Sequence, residues 1–195
     1  MIEYGGDNAR EVKDDALLSE SYGLVPGGYC FKVARIEPEN NIEIVLGAFD
    51  RAPEHKLVLV GNWQKSKYGI RIKEEYSARP NIMLLDAIYD QEKLNLLRSN
   101  CGLYLHGHSM GGTNPSLVEA MSLGLPVAAY DVVYNRETTE GKALYFTDSA
   151  SLAAMIVDMD KETLMETGVN LREVAGRRYK WSIITEKYER LFVKG

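Results

Sequence analysis

The chain alternates short apolar runs with longer stretches in which apolar positions recur every three or four residues. The runs are YCFKVARI (29–36), KLVLVG (56–61), NIMLLD (81–86), CGLYLHG (101–107), LPVAAYD (125–131) and ALYF (143–146). Apolar character on successive positions predicts strands buried on both faces. Between them lie amphipathic stretches at 41–52, 68–78, 90–100 and 116–124. In the first, Ile42, Val45, Leu46 and Phe49 mark one helical face. In the third, Leu94 and Leu97 do so behind Asp90, which suits an N-cap. The C-terminal third reads as three helices capped by Ser149, Asp160 and Ser182. Near the start, IEYGGDNA reads as a strand end and turn, DDALLSES as a short helix, and Gly23–Gly28 as a turn or linker.

Strands and helices recur at roughly 20–25 residues per unit, which fits right-handed crossovers. The pattern predicts an α/β fold: a Rossmann-like, doubly wound parallel sheet of about six strands with C-terminal helices. Ligands of such sheets bind beyond the carboxyl ends of the strands. The loops after each apolar run therefore carry the candidate chemistry.

Bulk composition narrows the partners. The chain is 45% hydrophobic and 26% charged, with a formal net charge of -5. That charge gives no electrostatic reason to expect nucleic acid or an anionic membrane as the main partner. Cys30 and Cys101 lie inside apolar runs and read as buried thiols of a reducing compartment. No run of 18 apolar residues and no signal-peptide pattern is present in this sequence, so a cytoplasmic location is expected.

After the first strand, Arg35 precedes a helix that begins near Asn40 or Asn41. A guanidinium beside a helix N-terminus suits a phosphate or carboxylate, and a surface pair with Glu37 or Glu39 is the alternative. After the second strand, Gly61 permits close backbone approach, Asn62 follows, and Trp63 could stack on a ring or pack as core. Lys65 and Lys67 read as a solvated loop. After the third strand, Ile88 and Tyr89 are as well suited to core as to a ligand.

The loop after the fourth strand, HGHSMGGTNPSLVEAM (106–121), is the richest. His106 and His108 at i and i+2 could ligate a metal, yet no cysteine or third histidine stands near them in sequence. Gly107 and Gly111 flank Ser109 in a G-x-S-x-G match, but Gly111, Gly112 and Pro115 oppose the helix that a nucleophile elbow requires. An anion cradle remains. Gly111 and Gly112 free the backbone, Thr113 or Asn114 can cap, and Pro115 suits the first helical position. Free N–H groups are then expected at Ser116, Leu117 and Val118, pointing with the helix dipole at a diphosphate. Glu119 lies one turn in, where it could hold a ribose or face solvent.

In order, these pieces are strand-Arg-x-x-Pro-Glu, strand-Gly, Pro-Asn-Ile, and strand-loop-Glu-Ala-Met-x-x-Gly-x-Pro-Val. They resemble the C-terminal, donor-binding domain of GT-B glycosyltransferases, in particular glycosyltransferase group 1 (family 4). VARIEPENNI, LVGNW, RPNIMLLDAIYD, HGHSMGGTNPSLVEAM and VVYNRETT resemble its branch of bacterial rhamnosyltransferase-like polysaccharide enzymes. The resemblance implies transfer of a sugar from a nucleotide diphosphate donor to a polysaccharide or lipid-linked acceptor, with retention and without a metal or other cofactor. By position, Arg35 would touch the diphosphate and Glu119 the ribose. Gly61 and Asn62, with the loop Gly111, Gly112, Thr113, Asn114, Ser116 and Leu117, would surround the donor.

Two positions depart from the family pattern. The first glutamate of its E-x7-E motif falls at Gly111, and a lysine five residues after the arginine falls at Asn40. The rhamnosyltransferase-like branch shares both, which favours a donor such as dTDP-rhamnose and suggests that His106, His108 or Thr113 takes over sugar contacts. GT-B enzymes pair two such domains, and this chain holds one. IEYGGDNA resembles the interdomain segment, and RYKWSIITEKYERLF the helix that packs back on the first domain. Residues 1–28 are thus read as an interdomain remnant, with Met1 an added residue, and 29–195 as the donor domain. The missing N-terminal acceptor domain is the expected partner, a membrane-associated acceptor lipid is implied, and catalysis by this chain alone is not expected. A non-catalytic nucleotide-sugar-binding module, or another GT-B sugar-phosphate enzyme, is the competing reading.

Overall fold

All six apolar runs become strands. The computed structural model describes residues 3–192. The strands are β1 Cys30–Val33, β2 Leu57–Val60, β3 Ile82–Leu85, β4 Leu103–His106, β5 Val127–Tyr130 and β6 Leu144–Phe146. They form one sheet in the order β3-β2-β1-β4-β5-β6, and every neighbouring pair is parallel. The helices are α1 Asp15–Tyr22, α2 Ile42–Arg51, α3 Lys67–Tyr76, α4 Gln91–Ser99, α5 Pro115–Ser122, α6 Val133–Thr139, α7 Ser149–Asp158, α8 Lys161–Arg178 and α9 Trp181–Phe192.

Successive strand side chains point to opposite faces, so the sheet carries two cores. On one face Phe31, Tyr104 and Val127 meet Leu97 of α4, Met121 of α5 and Leu171 of α8. On the other, Leu59, Leu105 and Ala128 meet Phe49 of α2, Ile72 of α3 and Leu152 of α7. Lys32 shares the second face by strand alternation and is fully buried there.

Helix starts follow the predicted chemistry in part. The Asp90 carboxylate accepts from the N–H of Glu92 at 3.0 Å and of Lys93 at 3.3 Å, and Asp160 accepts from Thr163 at 2.8 Å. Ser149 is not a cap. Asp148 is, because its carboxylate accepts from Ser151 N–H at 2.7 Å while the Ser151 hydroxyl accepts from Asp148 N–H at 3.1 Å. Ser182 is not a cap either: α9 begins at Trp181, whose N–H donates to the Asp7 carboxylate at 2.8 Å. Helix α6 was not anticipated, since VYNRETT has too few apolar positions to show a period.

The chain before α1 forms a strap across the domain. It holds a turn at Asp7–Asn8 but no strand among the described residues, and Ile2 lies outside them. A Cβ on Gly6 would stand 2.3 Å from the Val118 carbonyl oxygen of α5, and one on Gly5 would stand 2.6 Å from the Trp181 ring. Two glycines thus let the strap pass between α5 and α9.

The sheet order reverses between β1 and β4. Crossovers lead away to either side from there, leaving a crevice above their carboxyl ends.

Candidate functional site

Amide side chains tie the loops above this crevice together. Asn40 donates to the Arg35 carbonyl at 2.7 Å, closing the loop after β1. Asn41 donates to the Gly107 carbonyl at 2.8 Å, joining that loop to the end of β4. Ser109 donates twice to the Glu39 carbonyl, from its N–H at 3.0 Å and its hydroxyl at 2.9 Å. Asn135 of α6 donates to the carbonyls of His108 at 3.0 Å and Tyr130 at 2.8 Å. These bonds hold the rim while leaving the segment 110–113 without a hydrogen bond among the described residues. Ser109 is thereby a structural residue, with its hydroxyl spent on a backbone carbonyl. Asn40 is 1% exposed, so the position that holds a lysine in the resembling family serves here inside the loop.

The cradle differs from expectation in which N–H groups it offers. Asn114 caps α5 as predicted, its side chain accepting from Ser116 N–H at 3.0 Å, with Pro115 in the first turn. Its backbone carbonyl accepts from Leu117 and Val118 at 3.1 and 3.2 Å. The N–H groups of Ser116, Leu117 and Val118 are therefore occupied, and the Leu117 side chain lies in the core. Among the described residues, it is the N–H groups of Gly111, Gly112, Thr113 and Asn114 that make no hydrogen bond. The available donors sit two to five residues earlier because one asparagine satisfies the first turn. Gly111 has φ +111, which a side chain rarely adopts, so a glutamate there would require a different loop path.

Beneath the loop lies a row of polar rings. Tyr104, His106 and His108 project to one face of β4, and the two imidazoles stack with centroids 4.5 Å apart and planes 16° apart. Both nitrogens of His106 are buried without a partner, as is Nδ1 of His108. Burial, the neighbouring imidazole of His108 and the charge of Lys32 hold His106 well below its ordinary pKa. Burial, Lys32 and Arg35 bring His108 down to about 3. Both are neutral at physiological pH, and a neutral imidazole can donate or accept at a sugar hydroxyl. Stacked rings do not converge on one point, and among the described residues no three His, Cys, Asp or Glu side chains cluster as a metal would need.

The other predicted residues divide. Arg35 is exposed at the crevice and lies 3.2 Å from Glu37, so its ligand and surface-pair readings share one position. Gly61 is required by packing: a Cβ there would meet Ile36 at 2.3 Å and the Ala34 carbonyl at 2.8 Å. Asn62 is exposed. Trp63 is not available for stacking, because it is fully buried and donates from Nε1 to the Leu85 carbonyl at 2.7 Å. Ile88 packs partly against the core, whereas Tyr89 is 82% exposed. Glu119 does not face solvent freely. Its Oε2 lies 2.8 Å from the Arg98 guanidinium, and its Oε1 accepts from Asn8 at 2.9 Å.

Residues that sequence reading missed complete the picture. Lys32, Arg98, Asn8 and Asn135 all bear on the crevice, and only Lys32 left a signal: a charge between Phe31 and Val33 inside an apolar strand. A cavity of about 230 Å³ adjoins the cradle, lined by Gly112, Thr113, Tyr134, Glu137 and Thr138 among others. Larger cavities, one of about 460 Å³, open at the amino ends of the strands beside Gly102, Pro126 and Leu164. Size favours those, but unbonded N–H groups and unpartnered buried polar atoms gather at the carboxyl ends, and that chemistry decides the site.

The family model for glycosyl transferases group 1 matches residues 26–159, which include all six strands and the loops that follow the first five. The chain belongs to this family. It is 27% identical over 168 residues to a phosphatidyl-myo-inositol mannosyltransferase of Mycobacterium leprae, covering 80% of this chain and 43% of that protein. Two solved structures are similar in fold. Sucrose-phosphate synthase of Thermosynechococcus elongatus aligns over 100% of this chain and 52% of its own, at 20% identity and a TM-score of 0.78. HepE of Anabaena, solved with UDP and glucose, aligns over 99% of this chain and 56% of its own, at 17% identity and a TM-score of 0.82. The chain thus spans about half the length of these family relatives, and the sheet is one half of the GT-B architecture. Among the described residues no helix is long and apolar enough to cross a membrane.

Proposed function

We propose that residues 29–195 are the nucleotide-sugar-binding half of a retaining glycosyltransferase, preceded by interdomain chain. The donor diphosphate would lie on the N–H groups of Gly111–Asn114, at the dipole end of α5 and within reach of Arg35. The observation that carries this reading is that run of unbonded N–H groups, placed where the sheet order reverses. Glu119, oriented by Arg98 and Asn8, would hold the ribose with its remaining lone pairs. Neutral His108, backed by the stacked ring of buried His106, would meet the sugar where the family places a glutamate. The rhamnosyltransferase-like motifs support a rhamnose donor such as dTDP-rhamnose and a polysaccharide or lipid-linked acceptor, reached through the other half of the enzyme at the inner membrane face.

Calorimetry with UDP-, GDP- and dTDP-sugars tests the reading: one donor class binds, and binding by none of them sinks it. His108→Ala should weaken the bound donor by about two- to tenfold, the worth of one hydrogen bond. Unchanged affinity removes His108 from the site. A non-catalytic binding module is favoured by one observation, the glycine at 111. Sugar transfer by the enzyme with both halves present decides against it.

A further inference from the structure

Lys32 is the least explained group in the domain. Its strand neighbours Phe31 and Val33 are apolar, and across the sheet it pairs with Leu59. Its ammonium is fully buried and has no hydrogen-bond partner among the described residues. The position of that ammonium is fixed by what stands around it. A Cβ on Gly107 would lie 2.7 Å from Nζ and 2.5 Å from the Asn40 carbonyl oxygen. The lysine therefore threads along the sheet to the carboxyl end of β4, and Gly107 lacks a side chain where the ammonium ends. In the chain Gly107 separates the two histidines whose rings stack, and it begins the loop that carries the unbonded N–H groups.

The ionisable groups that feel Lys32 are His106 of β4 and His108 in the loop after it, and Arg35 follows on its own strand's loop. None of these is an anion. From α2 the first charged residue, Glu43, pairs with Arg71 at 2.8 Å and is turned to the surface. A buried charge of this kind is ordinarily paired.

We propose that Lys32 is a positioning cation for the diphosphate, acting from beneath the loop through Gly107 and drawing its counter-charge from the ligand. This rests on the reading of the crevice as a nucleotide-sugar site. In the free protein, burial alone brings the Lys32 pKa down to about 7. An anion above the loop favours the charged form, so binding takes up a proton. The two histidines titrate below this range and do not mask it.

The test is calorimetry of this chain with UDP, GDP and dTDP at about pH 7.5 to 9, above the last ionisation of a terminal phosphate. Each titration is run in two buffers of different ionisation enthalpy. The expected result is proton uptake on binding, with affinity falling by up to about tenfold per pH unit. Lys32→Met should keep the fold, weaken binding by about tenfold near neutral pH and abolish both the proton uptake and the pH dependence. If the wild-type chain binds without taking up a proton, or the variant repeats its affinity and pH profile, the inference about Lys32 is wrong and the site stands. If the wild-type chain binds none of the three nucleotides, the reading of the site fails and the inference falls with it.

Discussion

Two cations are buried among the described residues, and their surroundings are opposite. Arg98 of α4 is 2% exposed and stands 2.8 Å from the Glu119 carboxylate, with Asn95 a further acceptor at 3.4 Å. Lys32 of β1 is 0% exposed and has no acceptor among the described residues. Each loses hydration on folding. At Arg98 the loss is offset by a partner that belongs to the fold. At Lys32 it is reduced only by partial release of the proton. A paired buried charge fixes an arrangement, whereas an unpaired one leaves the arrangement sensitive to what arrives.

The contrast breaks most severely at Arg98→Ala. Glu119 then keeps Asn8 but loses its counter-charge in a mostly buried place. The expected cost is about 3–5 kcal/mol, read from the midpoint of urea unfolding. A loss below about 1 kcal/mol would show that solvent serves Glu119 as well as Arg98 does. Gly107→Ala probes the other cation by crowding it. The new methyl meets both the Asn40 carbonyl and the Lys32 ammonium, and overpacking of this kind costs about 1–3 kcal/mol. Lys32→Met in the same background should recover part of that loss, because the thioether bends more readily and carries no charge. Equal losses in both backgrounds would mean that the carbonyl alone sets the cost.

The pH dependence of stability separates the two cations without a ligand. Lys32 has a pKa of about 7 in the fold and an ordinary value near 10.4 when unfolded. Between these values the unfolded chain binds more protons, so this group makes stability rise with pH. Relative to Lys32→Met, the wild-type chain should gain about 1 kcal/mol from pH 7 to pH 8, measured by chemical unfolding at each pH. Higher pH is less informative. The Cys30 thiol is pushed up to about 12 and Cys101 rises as well, so both act in the opposite direction once the unfolded thiols ionise. An identical slope in the variant would place the titration elsewhere. The smallest effect is Asn114→Ala, about 1 kcal/mol for a lost cap, with the loop N–H groups unaltered in number.

The sheet was legible because strands buried on both faces show it residue by residue, as KLVLVG does. The cradle was legible because glycines, a cap and a proline stand in order before SLVEAM. What escaped was set by contacts distant in the chain. Trp63 could be read as a stacking ring or as core because its acceptor is the Leu85 carbonyl, on the neighbouring strand. Ser182 looked like a cap because the true one, Asp7, is 174 residues away. The N–H groups were misplaced for a local reason instead: one residue, Asn114, serves the first turn with both its side chain and its carbonyl. Lys32 shows the limit differently. Its charge is visible in the sequence, but only three dimensions reveal that no carboxylate among the described residues comes to meet it.

The strap between α5 and α9 has a consequence for how the chain is made. Asn8, which steadies Glu119, is itself held by the Trp181 indole, and Asp7 by the Trp181 amide. Synthesis runs from the amino end, so these strap residues leave the ribosome long before their clamp exists. The partners of Glu119, Asn8 and Arg98, are both made before α9, but the clamp that fixes Asn8 beneath the crevice can close only once Trp181 has emerged.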